Sequence, residues 1–142
     1  MSVENEIELD ELTPEESEDF RNLLVVGRLA ETISVLGHTV TLRTLSVEED
    51  LAVGLIIKPY LGSNSYERAY RTAICAASIR EIDGEPFGEP LSSDVNAYET
   101  LEFKFKKITK YYPILLDEVY KRFTELEKQL LPTVSRLGKI SN

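Results

Sequence analysis

A stretch of alternating side chains constrains this fold more than any other feature. In residues 30–45, Val, Ile, Leu and Thr dominate, and apolar positions alternate with polar ones. A period of two is typical of a strand with one buried face. Gly37 and His38 interrupt the pattern, and we expect them to form a two-residue type II′ turn with Gly37 first. The stretch therefore predicts a β-hairpin in which Val40 and Leu42 face one side, and Thr39, Thr41 and Arg43 face the other.

Helical patterns flank the predicted hairpin on both sides. Capping boxes at residues 13–16 and 46–49 predict two helix starts, the first with Pro14 at its first position. The second helix would present Val47, Leu51 and Leu55 as its apolar side, with Ile56 beside them. It would end near Lys58, because the proline that follows disfavours helical geometry in the residue before it. Further helices are predicted at about residues 66–79, 95–109 and 113–131.

These elements together predict an α+β fold in a single domain. Asp83 and Gly84 give a tight turn, and residues 79–88 around it join the sheet. We therefore expect a small antiparallel β-hairpin sheet packed against about five helices. An acidic N-terminal arm occupies residues 1–12, the domain residues 13–131 and a C-terminal tail residues 132–142.

The charge of the chain is concentrated at its N-terminus. The net charge is −9, and residues 1–20 hold nine acids and no lysine or arginine. Acids and bases balance over the remaining residues. Residues 21–142 therefore lack the excess of positive charge that is typical of a nucleic-acid-binding protein. We expect the arm to be a solvated segment.

The residues that carry most enzyme chemistry are scarce. His38 is the only histidine and Cys75 the only cysteine, so neither a disulfide framework nor a zinc site of His and Cys alone is available. We expect Cys75 to be a small buried hydrophobe. Phosphate-binding glycine loops and nucleophile elbows are absent from the sequence. We therefore expect no enzyme activity, no cofactor and no small-molecule substrate.

Neither a secretory signal nor a membrane span is predicted. The most apolar uncharged run, residues 51–57, has seven residues, whereas crossing a bilayer takes about 20. This predicts a soluble chain of the cytosolic type, with neither a membrane nor a nucleic acid as partner.

Three groups of side chains are candidates for protein contacts. Tyrosines are frequent anchors at interfaces, small residues on one helix face admit another backbone, and lysines attract acidic segments, including those of a second copy. Each group also has an ordinary interpretation, as half-buried tyrosines, core packing or a solvated lysine face. The candidates are Tyr60, Tyr66 and Tyr70, then Ala69, Ala73 and Ala77, then Lys104 and Lys107.

One segment, residues 37–87, resembles a known family. A turn with Gly37 leads into the run Val-Thr-Leu-Arg-Thr-Leu-Ser and then an acidic helix start at residues 47–50. An alanine-rich helix follows at residues 69–77 and closes on Ser-Ile-Arg-Glu-Ile-Asp-Gly-Glu-Pro-Phe. This order is similar to that of small tail-assembly proteins of long-tailed bacteriophages, in particular the tail assembly chaperones.

The resemblance implies a non-enzymatic role carried by surfaces. Tail assembly chaperones coat the helical tape measure protein in the host cytoplasm, help to recruit tail tube subunits and are displaced as the tube polymerises. The resemblance thus implies tape measure, tube or baseplate subunits as partners, and we also expect self-association. Two alternatives stay open. One is a virion component of the tail tip, baseplate or hub, and the other is an unrelated small protein-binding adaptor.

Overall fold

The fold is α+β, as predicted. The computed structural model describes residues 13–15, 29–88 and 95–129. A four-stranded antiparallel sheet has the strand order β1-β2-β3-β4. The elements in chain order are β1 (Ala30–Val35), β2 (His38–Arg43), α1 (Val47–Ile57), a 3-10 turn (Lys58–Tyr60), α2 (Tyr66–Ser78), β3 (Ile79–Ile82), β4 (Glu85–Pro86), α3 (Ala97–Ile108) and α4 (Pro113–Lys128).

The first hairpin forms where predicted, but its turn lies one residue earlier. Val35 pairs with His38, so the turn residues are Leu36 and Gly37. Their φ values of 49° and 85° are both positive, as a type I′ turn requires, and the predicted type II′ turn is wrong. Asp83 holds His38 in the strand, because its carboxylate lies 2.8 Å from His38 Nδ1 and accepts the neighbouring backbone N–H of Thr39 at 2.9 Å.

The predicted turn at Asp83 and Gly84 is confirmed, and it joins residues 79–86 to the sheet. Both turn residues have positive φ, 53° and 81°, and Ile82 pairs with Glu85 across them. Pro86 sits on the last strand, where the missing N–H is tolerated because no further strand in the described sheet needs it.

Helix α2 lies at the centre of the helical layer. It packs against α1, α3 and α4 and continues directly into β3. Its small side chains let these neighbours approach closely, and Ala73, Cys75 and Ala76 are fully buried. Helix α4 packs inward through an apolar stripe, with Leu116, Val119, Phe123 and Leu126 buried.

The described residues form four α-helices, not about five. The helix predicted to begin at Thr13 lies mostly outside the described residues, of which Pro14 and Glu15 are helical. The acidic arm and the C-terminal tail lie outside the described residues. Helix α1 begins as predicted, with Ser46 and Glu49 forming the capping box.

Candidate partner-binding surface

The predicted apolar side of α1 faces outward. Val47, Leu51 and Leu55 are 77%, 67% and 55% exposed. We call these three residues the α1 ridge. These three residues of the predicted apolar side therefore do not pack on the core, whereas Ile56, predicted beside them, does. The buried side of the helix consists of Ala52, Val53, Ile56 and Ile57.

A charged contact explains this rotation of α1. Arg43 Nη2 donates to both carboxylate oxygens of Glu49 at 2.7 Å, and Arg80 Nη2 donates to the same carboxylate. At about 100° per residue, Glu49 lies on the same side of the helix as the buried set and opposite the α1 ridge. Because Arg43 and Arg80 belong to β2 and β3, holding Glu49 against the sheet turns Leu51 and its neighbours outward.

A groove with aromatic and acidic walls adjoins the N-terminal end of the α1 ridge. It has a volume of about 230 Å³, and Val47, Asp50, Tyr70, Tyr120 and Glu127 are among its lining residues. Burial, and secondarily the charge of Asp50, raises the pKa of the Glu127 carboxyl. Burial also raises the pKa of Tyr70. The two carboxylates thus give this groove a negative potential that favours a cation.

A second groove adjoins the other end of the ridge. Its volume is about 450 Å³, and Leu55, Tyr60, Tyr98 and Phe105 line it. The rings of Tyr60 and Phe105 are tilted against each other with centroids 6.5 Å apart. The α1 ridge therefore lies between two concave, partly aromatic surfaces.

The three candidate tyrosines are half-buried, and two of them line these grooves. Tyr60 belongs to the groove at Leu55 and Tyr70 to the groove at Val47. Tyr66 stacks on Tyr70 with ring centroids 6.5 Å apart.

The candidate alanines are not on the surface. Ala69, Ala73 and Ala77 are all buried, which corrects the expectation that a partner helix packs on them. The backbones that use this small-residue face belong to the same chain, since α1, α3 and α4 all pack on α2. The small side chains are therefore used for close packing inside the domain.

The two candidate lysines have different environments. Lys107 is exposed, with Nζ 5.0 Å from the ring centroid of Phe87. Lys104 is 3% exposed, and its Nζ donates to the backbone carbonyl of Ile79 at 2.7 Å. Of the two candidate lysines, only Lys107 is therefore on the surface, because Lys104 is buried against the start of β3.

The remaining titratable candidates have structural surroundings. The exposed pair of His38 and Asp83 links the start of β2 to the turn between β3 and β4. The hydrogen bond with His38, and after it the one from the backbone N–H of Thr39, lower the pKa of the Asp83 carboxyl. Burial raises the pKa of the Cys75 thiol to about 12. Across the described ranges, no cluster of three or more His, Cys, Asp or Glu side chains is placed to hold a metal ion. Of the helices in the described ranges, none has the length and apolarity needed to cross a bilayer.

Sequence reasoning missed the cluster of Arg43, Glu49 and Arg80. The sequence predicts Glu49 as part of the capping box of α1 and gives it no partner in the sheet, and Arg80 is 31 residues away from it. The available signal was an arginine on each of two strands, because an arginine on a partly buried strand requires a partner.

We found no significant match to this chain among protein-family models, curated protein sequences or solved structures.

Proposed function

We propose that this chain is a non-enzymatic tail assembly protein of a long-tailed bacteriophage, a chaperone that binds a helical segment of the tape measure protein on the α1 ridge. The observation that carries the proposal is the outward-facing set Val47, Leu51 and Leu55, placed between two grooves. The resemblance of residues 37–87 to tail assembly chaperones supplies the identity of the partner.

The ridge has the dimensions of a helix-docking surface. From Val47 to Leu55 it extends about 12 Å along α1, or a little more than two turns. An amphipathic helix presents apolar anchors at three- and four-residue spacing over the same length. Its large side chains would enter the grooves beside the ridge, where Tyr60 and Tyr70 stand as half-buried walls.

The charges around the ridge define the partner further. Glu48 and Asp50 are exposed on α1, and Glu127 faces the groove at Val47. We therefore expect the docked helix to carry Lys or Arg beside its apolar face. Such a cation would offset the like-charge repulsion between Asp50 and Glu127.

The test is co-expression of the chain with the tape measure protein of the same phage genome, followed by purification of the complex. Leu51→Glu places a charge in the middle of the ridge, and we expect it to abolish copurification. Ile114→Glu is the matched control, because Ile114 is 69% exposed in the first turn of α4, on a different helix from the ridge. The proposal is contradicted if Leu51→Glu copurifies like the wild type, or if only self-association depends on Leu51.

Quantitative mass spectrometry separates the alternatives. A chaperone is bound to tape measure protein in assembly-stage lysate and is missing from mature particles. A tail tip, baseplate or hub component is present in the particles at fixed copy number. An unrelated adaptor is found in neither sample.

A further inference from the structure

Strand β1 is an open edge of the sheet. Among the described residues its only neighbouring strand is β2, and the opposite edge is the two-residue β4, which ends in Pro86. A very short edge strand with a proline is a poor template for further pairing. Strand β1, in contrast, has six residues and contains no proline, lysine or arginine. The open edge of β1 can therefore accept another strand.

The hydrogen-bond register shows which backbone groups are available at this edge. The N–H of Thr44 donates to the carbonyl of Leu29 at 3.0 Å, one step before the first pair of the β1–β2 ladder. Hydrogen-bonded pairs alternate along an antiparallel ladder, so every second residue after Leu29 bonds to β2 and the residues between them direct their N–H and C=O groups away from it. These outward residues of β1 are Ala30, Thr32 and Ser34, and all three are exposed.

The two faces of β1 differ in polarity. Helix α4 packs against β1, and Ile33 and Val35 are 4% and 1% exposed. On the other face Thr32 and Ser34 are exposed, and Thr32 Oγ1 lies 3.0 Å from Thr41 Oγ1. A strand added at this edge therefore needs apolar side chains on one face and polar side chains on the other.

The acidic arm contains one segment with this pattern, residues 3–10. Its even positions are all acidic, and its odd positions are apolar except for Asn5. A period of two is typical of a strand with one buried face, and a segment that only stays in water does not require it. The acids are Glu4, Glu6, Glu8 and Asp10, and the apolar residues are Val3, Ile7 and Leu9.

We infer that residues 3–10 pair with the open edge of β1 as a fifth strand, parallel to β1. Ile7 and Leu9 then lie on the same face as Ile33 and Val35, and the acids lie on the solvent face. The charge of the arm alone predicts a solvated segment, whereas the open edge gives its apolar positions a place to be buried. This pairing is independent of the α1 ridge and of the proposed partner.

The connection between the arm and β1 fits the parallel direction. A crossover between parallel strands needs about a dozen residues or more, usually including a helix. Residues 11–28 exceed this length, and Pro14 and Glu15 within them are helical. An antiparallel pair would need only a short turn.

Two features favour the arm of the same chain over the β1 edge of a second copy. The arm is tethered to β1, which gives it an effective concentration on the order of millimolar, above that of the protein in dilute solution. Each chain also has a net charge of −9, so two copies that meet at their β1 edges repel each other. The arm thereby covers an edge that is otherwise a template for association of copies.

The test is amide hydrogen exchange, followed by NMR on the full chain. The amides of Ile33 and Val35 bond to β2 with or without the arm and serve as the internal reference. We expect the amides of Thr32 and Ser34 to exchange at least about tenfold more slowly than those of an unstructured chain, because they donate to the arm. Their rates should not depend on protein concentration.

A double substitution in the arm should remove this slow exchange. Ile7→Ser with Leu9→Ser deletes the two apolar side chains that the pairing buries. We expect the amides of Thr32 and Ser34 to exchange at least about tenfold faster than in the wild type. The amide of Ile33 should stay slow, which shows that the sheet itself remains folded.

The matched control is Glu6→Ser with Glu8→Ser, which introduces the same two serines on the solvent face of the arm. It should exchange like the wild type. Three results would overturn the inference. The first is fast exchange of the outward amides of β1 in the wild type. The second is protection that increases with protein concentration, which would identify a second copy as the occupant. The third is the same exchange in both double variants.

Discussion

Helices α1 and α4 carry similar apolar patterns and use them in opposite ways. In α4, Val119 and Phe123 point inward and are almost completely buried. In α1, Leu51 and Leu55 have the same four-residue spacing, and more than half of each side chain is exposed. Spacing alone therefore does not distinguish a core stripe from a surface ridge.

The difference lies in the opposite face of each helix. The face of α4 away from Val119 carries Asp117, Lys121 and Glu125, so only one apolar face is available for burial. Helix α1 is apolar on two faces, and burying either would satisfy the pattern. The contact of Glu49 with Arg43 and Arg80 selects the face with Ala52 and Val53. The second apolar face, which carries Leu51 and Leu55, stays exposed and is therefore a candidate partner-binding surface.

The largest expected effect contrasts the two helices directly. Phe123→Ala in α4 should lower the free energy of unfolding by about 3–5 kcal/mol, because it removes a buried ring and leaves a cavity. Leu51→Ala in α1 should change it by no more than about 0.5 kcal/mol, because the side chain is exposed. Urea denaturation of both variants measures the difference, and equal losses would show that the α1 ridge is part of the core.

A smaller effect is expected when a side chain is enlarged. Ala73 is fully buried where α2 meets its neighbours, so Ala73→Leu should lower the free energy of unfolding by about 1–3 kcal/mol through overpacking. Urea denaturation again provides the measurement. A neutral result would mean that the small-residue face of α2 has open space beside it.

Gly54 gives the corresponding test on α1. A Cβ atom built on Gly54 has nothing within 4 Å, and the residue lies on the exposed side of the helix. Gly54→Ala should therefore raise the free energy of unfolding by about 0.5–1 kcal/mol through its better helix propensity. A loss of stability on urea denaturation would indicate that another part of the protein covers this side of α1.

The smallest predicted effect concerns pH and the groove beside the α1 ridge. Because the pKa of Glu127 is raised in the folded state, wild-type stability should fall as the pH rises from the ordinary glutamate range through the raised value. Glu127→Gln does not titrate and should lack this component. Denaturation at a series of pH values from 4 upward would reveal it, and identical pH profiles would contradict the raised pKa.

The sequence was sufficient where one local pattern decided the outcome. The period of two in residues 30–45 predicted the β1–β2 hairpin, the Asp83-Gly84 pair predicted the turn between β3 and β4, and the capping box at Ser46 predicted the start of α1. Each of these features depends on residues that are close in sequence, so their conformational preferences can be inferred from the sequence alone.

The sequence was insufficient where distant residues decided it. The rotation of α1 depends on Arg80, which is 31 residues from Glu49, and the burial of Lys104 depends on the carbonyl of Ile79. The turn at Leu36 follows from a carboxylate that reaches His38 and Thr39 from another hairpin. No period or propensity encodes such contacts, and this is also why the grooves beside the α1 ridge were not predicted.

Site-specific photocrosslinking tests the central claim, that the apolar face left over on α1 binds the tape measure protein. The photoreactive residue p-benzoylphenylalanine would replace Leu51 in one sample and Ile114 in another, during co-expression with the tape measure protein. We predict a crosslink to a helical segment of that protein from position 51 and none from position 114. A crosslink from position 114 alone, or from position 51 only to other copies of this chain, would contradict the claim.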